Sequence, residues 1–409
     1  MRRYVIIASV LAFTACSEPT GKTEPADKAA ISPRGSYAYD AAFLKKHTAN
    51  LIELSGDDGQ SKILISADYQ GRVMTSTARG DSGTSFGWLN YDLIAEPGFK
   101  KQFNPVGGEE RFWLGPEGGQ YALYFKKGDS FSFENWQVPP VIDTIAFQLE
   151  SSAKNSAMFK QSASIPNYSG TIFDIDIRRS VTLLSRDVAA DLLKTTVPDA
   201  VSTVAYTTEN SITNTGQKQW TKKTGLLSIW LLAMLTPSDN TKVIIPFTGG
   251  KDATKKITTD YFGDVPKERL IITDSLLLLN CDGRFRSKIG IPPAIAAPVA
   301  GSFDFDRNIL TITMFPVDPS GSYVNSKWAL QDKPYAGDAV NAYNDGPLAD
   351  GSQMGPFYEI ESSSPARELK PGEQQVYKQT TFHFEGPFKE LEAIAQQVLG
   401  VRLSALDLK

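Results

Sequence analysis

The 409-residue chain has little histidine, little cysteine and no excess of positive charge, and each shortage removes a class of function. Its two histidines, His47 and His383, stand far apart, so an HExxH metalloprotease helix or a histidine-rich zinc site has no ligands, and no metal is expected. Gly249 and Gly250 precede Lys251 without the spacing of a phosphate loop, and no GxSxG nucleophile elbow occurs. Nucleotide and serine-hydrolase chemistry therefore fall away. The formal net charge is −4, and it becomes −6 if Arg2 and Arg3 are lost with a leader. Nothing basic then remains to attract nucleic acid or anionic lipid headgroups. The two cysteines are Cys16 and Cys281. Cys281 follows Leu-Leu-Leu-Leu-Asn and reads as a small buried apolar residue.

What is present begins at the N-terminus. Arg2 and Arg3 precede an apolar run from Tyr4 to Phe13, and Thr14-Ala15 leads into Cys16, which is the plan of a secretory signal peptide over residues 1–15. The run falls short of the roughly 20 residues that a membrane-spanning helix needs. Thr14-Ala15-Cys16 resembles the bacterial lipobox, which implies cleavage before Cys16 and lipidation of its thiol. Acyl chains would then supply membrane affinity at about 0.8 kcal/mol per buried methylene, and Cys281 would have no disulfide partner. Residues 16–35 are polar and rich in Pro, Ser and Thr, a composition that cannot order itself by burial and reads as a tether. The expectation is an exported lipoprotein held to the membrane only through its N-terminal lipid, with Ser17-Glu18 pointing to the outer membrane, on its periplasmic or surface face.

From residue 36 to 409 no Pro/Gly/Ser-rich linker intervenes, and one domain is expected. Short alternating, β-branched and aromatic runs separated by Gly, Pro, Asn and Asp predict strands. They cover Lys62 to Ala67, Arg72 to Thr77, Tyr121 to Phe125, Thr144 to Glu150, Gly170 to Leu184, Val201 to Asn214, Lys242 to Phe247, Leu270 to Leu279, Ile309 to Phe315 and Val376 to Glu385. Helices are predicted only at Asp40 to Thr48 (with Asp40 as N-cap), Arg186 to Thr195 and Phe388 to Leu399, ended by Gly400. This order argues for antiparallel sheets packed face to face and excludes a βαβ nucleotide fold.

The richest chemistry lies late in the chain. In Phe357-Tyr358-Glu359-Ile360-Glu361, alternation puts Glu359 and Glu361 on one face of a strand. Two carboxylates so placed repel unless one is protonated or paired with a cation, an arrangement suited to proton abstraction or to binding sugar hydroxyls. Leu369-Lys370-Pro371-Gly372-Glu373 and Thr380-Thr381-Phe382-His383-Phe384 follow. Together these segments resemble the galactose mutarotase-like superfamily, which includes the aldose 1-epimerases. The resemblance implies an all-β antiparallel supersandwich with a few peripheral helices, with Glu359 at the position of the general base and Glu361 where many epimerases have Gln. The run from Lys333 to Pro347 is similar in tone to Bacteroidetes-type lipoproteins with mutarotase-like domains. Upstream, Gly107-Gly108-Glu109-Glu110-Arg111-Phe112-Trp113 resembles the segment from which an Arg reaches the sugar. Arg111 offers a rigid fork of donors, and Trp113 an apolar face for a pyranose ring; both serve equally well as packing at a sheet edge.

The chain departs from that pattern where the family places a histidine acid. Between Asn210 and Phe247 there is none, and Trp230 stands near that place. General acid catalysis contributes typically 10²- to 10⁴-fold, so a site without it is reduced to binding. Lys288, which alternates with Arg284 and Arg286, is one candidate acid if burial and cationic neighbours lower its pKa; alternatively that face holds an anionic sugar or is simply solvated. His383 is the other candidate acid. The run from Lys333 to Pro347 clusters Asp338, Asn341 and Asn344, which suit sugar hydroxyls or, less well, Ca²⁺, yet its Asn-Asp-Gly-Pro is strong turn chemistry. Three readings follow: a carbohydrate-binding or -processing envelope lipoprotein, an active aldose 1-epimerase with Glu359 as base, or a structural envelope protein without a sugar ligand.

Overall fold

The computed structural model describes residues 32–406. The segment expected to be a signal peptide, Cys16 and most of the segment expected to be a tether lie outside the described residues. Among the described residues, no helix is long and apolar enough to cross a membrane.

Period-two patterning dominates the chain and generates three antiparallel sheets. The largest has ten strands, running in spatial order Leu270–Ile272, Leu276–Asn280, Thr241–Pro246, Val299–Asp304, Ile309–Met314, Gln374–Glu385, Ser202–Asn214, Ile172–Leu183, Ser156–Pro166 and Gln148–Ala153. A second has five: Ser287–Ile291, Val340–Asn344, Tyr358–Ser363, Ser228–Leu232 and Arg111–Gly115. The third is the meander Leu51–Ser55, Lys62–Ser66 and Arg72–Thr77.

Both faces of the large sheet are used. One face contributes Ile177, Val181, Tyr206, Val243 and Leu279 to the main core, where they meet Phe112, Leu114, Ile229, Leu231, Ile289, Val340, Ala342 and Ile360 of the five-stranded sheet. The other presents Ile244, Phe303, Leu310, Ile312, Phe382 and Phe384, which are covered by two helices. Helix Phe388–Leu399 buries Leu391, Ile394, Ala395 and Leu399, spaced as one helical face. It is ended by Gly400 at φ 71°, the left-handed geometry of a C-terminal glycine cap. Helix Arg186–Leu193 lies beside it.

Differences from the expected elements have local causes. The first helix is Tyr37–His47, and its N-cap is Ser36, whose hydroxyl accepts from the Tyr39 amide; Asp40 is inside the helix, buried, and accepts from the Tyr91 hydroxyl. Tyr121 to Phe125 is not a strand: the turn at Gly119 folds it back so that the Leu123 amide reaches Pro116 O, and its apolar side chains reflect burial rather than pairing. Leu270 to Leu279 is a hairpin bent at Thr273 to Ser275. Part of the supposed loop between Lys333 and Pro347 is the strand Val340–Asn344, in which Val340 and Ala342 alternate inward. Cys281 is buried and unpaired, and burial pushes its thiol pKa up.

Replacing Ile394 with Ala removes a side chain locked between helix Phe388–Leu399 and the large sheet. Urea unfolding should show a loss of about 2–5 kcal/mol; a change within measurement error would mean that the helix does not close this second core.

Candidate functional site

The five-stranded sheet has one face in the core, so its alternation sends every second residue the other way. Tyr358, Ile360 and Ser362 point to the large sheet, where Ser362 Oγ donates to Gln379 Oε1 at 2.7 Å. Glu359 and Glu361 point outward with Arg111 and Trp113, Trp230, Lys288, and Asn341 and Tyr343, which occupy neighbouring strands in register. Residues separated by more than 240 positions thus share one surface.

Two ion pairs organise it. Arg111 Nη2 donates to Glu359 Oε1, and both side chains are buried. Glu361 Oε2 accepts from Lys288 Nζ and from Trp230 Nε1, each at 2.9 Å. The Arg111 guanidinium also lies 4.5 Å from the Trp113 ring centre and the Lys288 ammonium 4.9 Å from that of Trp230, arrangements that favour cations over aromatic faces. The two indoles meet edge to face at 5.6 Å.

Asp338 and Asn341 stand beside Lys288. The Tyr261 hydroxyl donates to Asp338 Oδ2 at 2.5 Å, and Asn341 Nδ2 donates to Ile289 O at 3.1 Å. Gly290 makes this possible, because a Cβ there would lie 1.9 Å from Asp338 Oδ2. Asn344 is on the opposite face, where it accepts from the Gly283 amide and donates to Phe285 O, fixing the turn before Ser287–Ile291; Tyr343 takes the outward position instead. His383 belongs to the large sheet, buried, with Nδ1 at 2.9 Å from Thr311 Oγ1, Nε2 at 2.9 Å from Glu109 Oε1, and its ring stacked on Phe86. It does not join the Glu359 cluster.

Two residues beside this face went unread in the sequence. Half-buried Glu117 follows strand Arg111–Gly115 and feels the charges of Lys288 and Glu361. Its signal, one carboxylate after Gly-Pro, was too common to single out. Tyr261 was likewise invisible among the Thr, Asp and Gly around it.

Burial sets the electrostatics. It pushes the Glu359 carboxyl up against the pull of Arg111, with Glu361 adding to the rise, and it raises Glu117 as well. Asp338 is raised to about 6 by burial, opposed by Tyr261 and Lys288. For Lys288, burial works downward, but Glu361, Glu117 and Glu359 outweigh it and hold the ammonium above its usual range. The lowered pKa that an acid role required is therefore reversed: the expected cationic neighbours are carboxylates. Several polar atoms on this face are buried without a hydrogen-bond partner, namely Arg111 Nε and Nη1, Trp113 Nε1 and Glu361 Oε1. Such atoms cost about 1–3 kcal/mol each when left unsatisfied. Among the described residues no group of three His, Cys, Asp or Glu side chains could hold a metal ion. A surface groove of about 520 Å³, lined by Lys222, Arg367, Glu368 and Glu373 among others, lies off this face and gathers none of its side chains.

The chain belongs to the family described as a family of unknown function (DUF6786), which matches residues 35–408. No curated protein matches the sequence. Among solved structures the chain is similar to galactose mutarotase-like and aldose 1-epimerase-like proteins. A putative aldose 1-epimerase from Escherichia coli K12 is 12% identical over 83% of this chain and 99% of its own, with a TM-score of 0.48. The Slr1438 protein from Synechocystis sp. PCC 6803 is 12% identical over 82% of this chain and 96% of its own, also with a TM-score of 0.48. A galactose mutarotase-like protein from Lactobacillus casei ATCC 334 is 11% identical over 82% and 99%, with a TM-score of 0.46.

The raised Asp338 pKa makes stability pH-dependent. An acid whose folded pKa lies above its unfolded value of 3.8 contributes stability below that value and loses it as pH rises through about 6. Asp338→Asn should therefore gain on the wild type between pH 4 and pH 6.5, by up to about 3 kcal/mol, in urea unfolding at stepped pH. A difference that stays flat across the window would contradict the burial of this carboxyl.

Proposed function

We propose that the chain is a cell-envelope lipoprotein, anchored through Cys16, that binds carbohydrate on the outward face of the five-stranded sheet. The observation that carries this reading is the set of unpartnered atoms there. Arg111 Nε and Nη1 and Trp113 Nε1 are donors, while Glu361 Oε1 is an acceptor. A hydroxyl both donates and accepts, so a polyol satisfies both kinds at once, and the indoles of Trp113 and Trp230 supply the apolar contact that a pyranose face needs. Because Glu359, Glu361, Trp113 and Trp230 are all buried, ligand entry requires displacement of side chains packed against the face, such as Tyr261, whose ring lies 5.8 Å from the Lys288 ammonium. Carbohydrate is the partner, the lipid anchor is the only membrane contact, and the outer membrane is the proposed location.

A second reading, a structural envelope protein, is favoured by the closure of both carboxylates in ion pairs, which is how a retired groove would hold them. Epimerase activity has the weakest support: Glu359 has the position of a base, but its carboxyl is raised and tied to Arg111, and Lys288 is held in its charged form.

Proton NMR of the lipid-free protein with freshly dissolved α-anomers of several aldoses separates these. Line broadening of a sugar without faster anomer exchange, lost in Glu359→Gln, is the expected result. Accelerated exchange that the variant abolishes would establish an epimerase; no effect with any sugar would leave the structural role.

A further inference from the structure

Charge on the sheet face is unbalanced. Four carboxylates, Glu117, Asp338, Glu359 and Glu361, are close enough to act on one another and on the cations Arg111 and Lys288. At the rim Arg286 Nε donates to Tyr343 OH, whose hydroxyl donates to Asp345, adding one charge of each sign. With all four ionised, two negative charges would be left over inside a wall of aromatic rings, and the free protein holds Glu117, Asp338 and Glu359 toward their protonated forms instead. Glu361 shows the shortage at one atom: it is fully buried, its Oε2 already serves Lys288 and Trp230, and its Oε1 has no partner.

We propose that the ligand of this face carries a primary ammonium group beside its hydroxyls, as an unacylated amino sugar does. The inference rests on the carbohydrate reading and names its chemical class. An ammonium brings three donors and no acceptor, which suits Glu361 Oε1, and its charge offsets part of the carboxylate excess. The hydroxyl oxygens beside it accept from Arg111 Nε and Nη1 and from Trp113 Nε1. The face already holds cations against rings at Arg111 over Trp113 and Lys288 over Trp230, at 4.5 and 4.9 Å. A sugar carboxylate would instead enter a site where carboxylates outnumber cations, and like charges at short range in a desolvated site repel strongly. A neutral sugar meets the hydrogen-bond needs but does nothing to stabilise the carboxyls in their ionised form. An arriving ammonium stabilises the ionised form of these carboxyls, which can then release their protons.

Isothermal titration of the full lipid-free chain at neutral pH should compare the glucosamine disaccharide with its N-acetylated form, a neutral glucose disaccharide and a linear diamine. The free amine sugar is expected to bind at least about tenfold more tightly than the others, a difference of about 1.4 kcal/mol. Glu361→Gln should remove that preference. Should Glu361→Gln fail to fold, Glu117→Gln, at a half-buried position, should reduce it. If the N-acetylated or neutral sugar binds as tightly as the amine sugar, the amine assignment is overturned and the carbohydrate reading stands. If the diamine matches the amine sugar, or if preference survives in the folded variants, the assignment to sugar amine at Glu361 is overturned. Binding of none of the four overturns both readings.

Discussion

Three consecutive charges, Glu109, Glu110 and Arg111, are buried, and each takes its partner from a different part of the molecule. Glu109 accepts from Ser76 of the small meander and meets His383 of the large sheet. Glu110 takes Arg179 at 3.0 Å, Thr208 at 2.7 Å and Gln379 at 2.8 Å, three strands of the large sheet. Arg111 opens the five-stranded sheet and pairs with Glu359. The backbone of the same segment bonds to Val73 and Met74. Gly107 and Gly108, at φ 95° and 110°, make this approach possible, since a Cβ on Gly108 would lie 2.4 Å from Arg72 Cδ. Breaking one such buried pair typically costs about 3–5 kcal/mol, because the remaining charge is left without compensation. All three sheets therefore take their relative position from one short segment.

The site inherits its geometry from that constraint. Arg111 cannot shift without moving Glu110, whose carboxylate is anchored to the large sheet, so the guanidinium that holds Glu359 is fixed by contacts on the far side of the core. Trp113 and Trp230 then follow as a cross-strand pair, and Glu361 lies one strand further on, between Trp230 and Lys288. The dry environment that makes the ion pairs strong also raises the carboxyls and exposes every unpaired donor to a desolvation cost. The same burial that positions the groups makes them dependent on whatever the face binds.

Much of this was legible in residue order. The Tyr358-Glu359-Ile360-Glu361 alternation gave the outward carboxylates, Phe388 to Leu399 gave the helix with its glycine cap, and Gly107 to Trp113 pointed to Arg111 and Trp113 as a unit. What was not legible is long-range. Nothing local says that Lys288 meets Glu361 rather than other cations, since that depends on Ser287–Ile291 pairing with Val340–Asn344. His383 alternates with Phe382 and Phe384, which correctly separates it from them, but only the packing shows it turned to Glu109. Asn344 looked like a ligand because Asn and Asp crowd its neighbourhood; its strand parity sends it to a turn. Glu117 and Tyr261 carry no periodic signal, and only the closure of loops over the sheet brings them in.

The central claim, that carbohydrate is held on the outward face of the five-stranded sheet, is tested most directly at Trp113. The chain has six tryptophans, and each indole N–H gives its own signal in nitrogen-resolved NMR. Titration with a sugar that binds should shift the Trp113 indole resonance, because its N–H has no partner and gains one, with a smaller movement at Trp230, already bonded to Glu361. If the protein binds sugar while both resonances stay still, the carbohydrate site lies elsewhere and this face is structural.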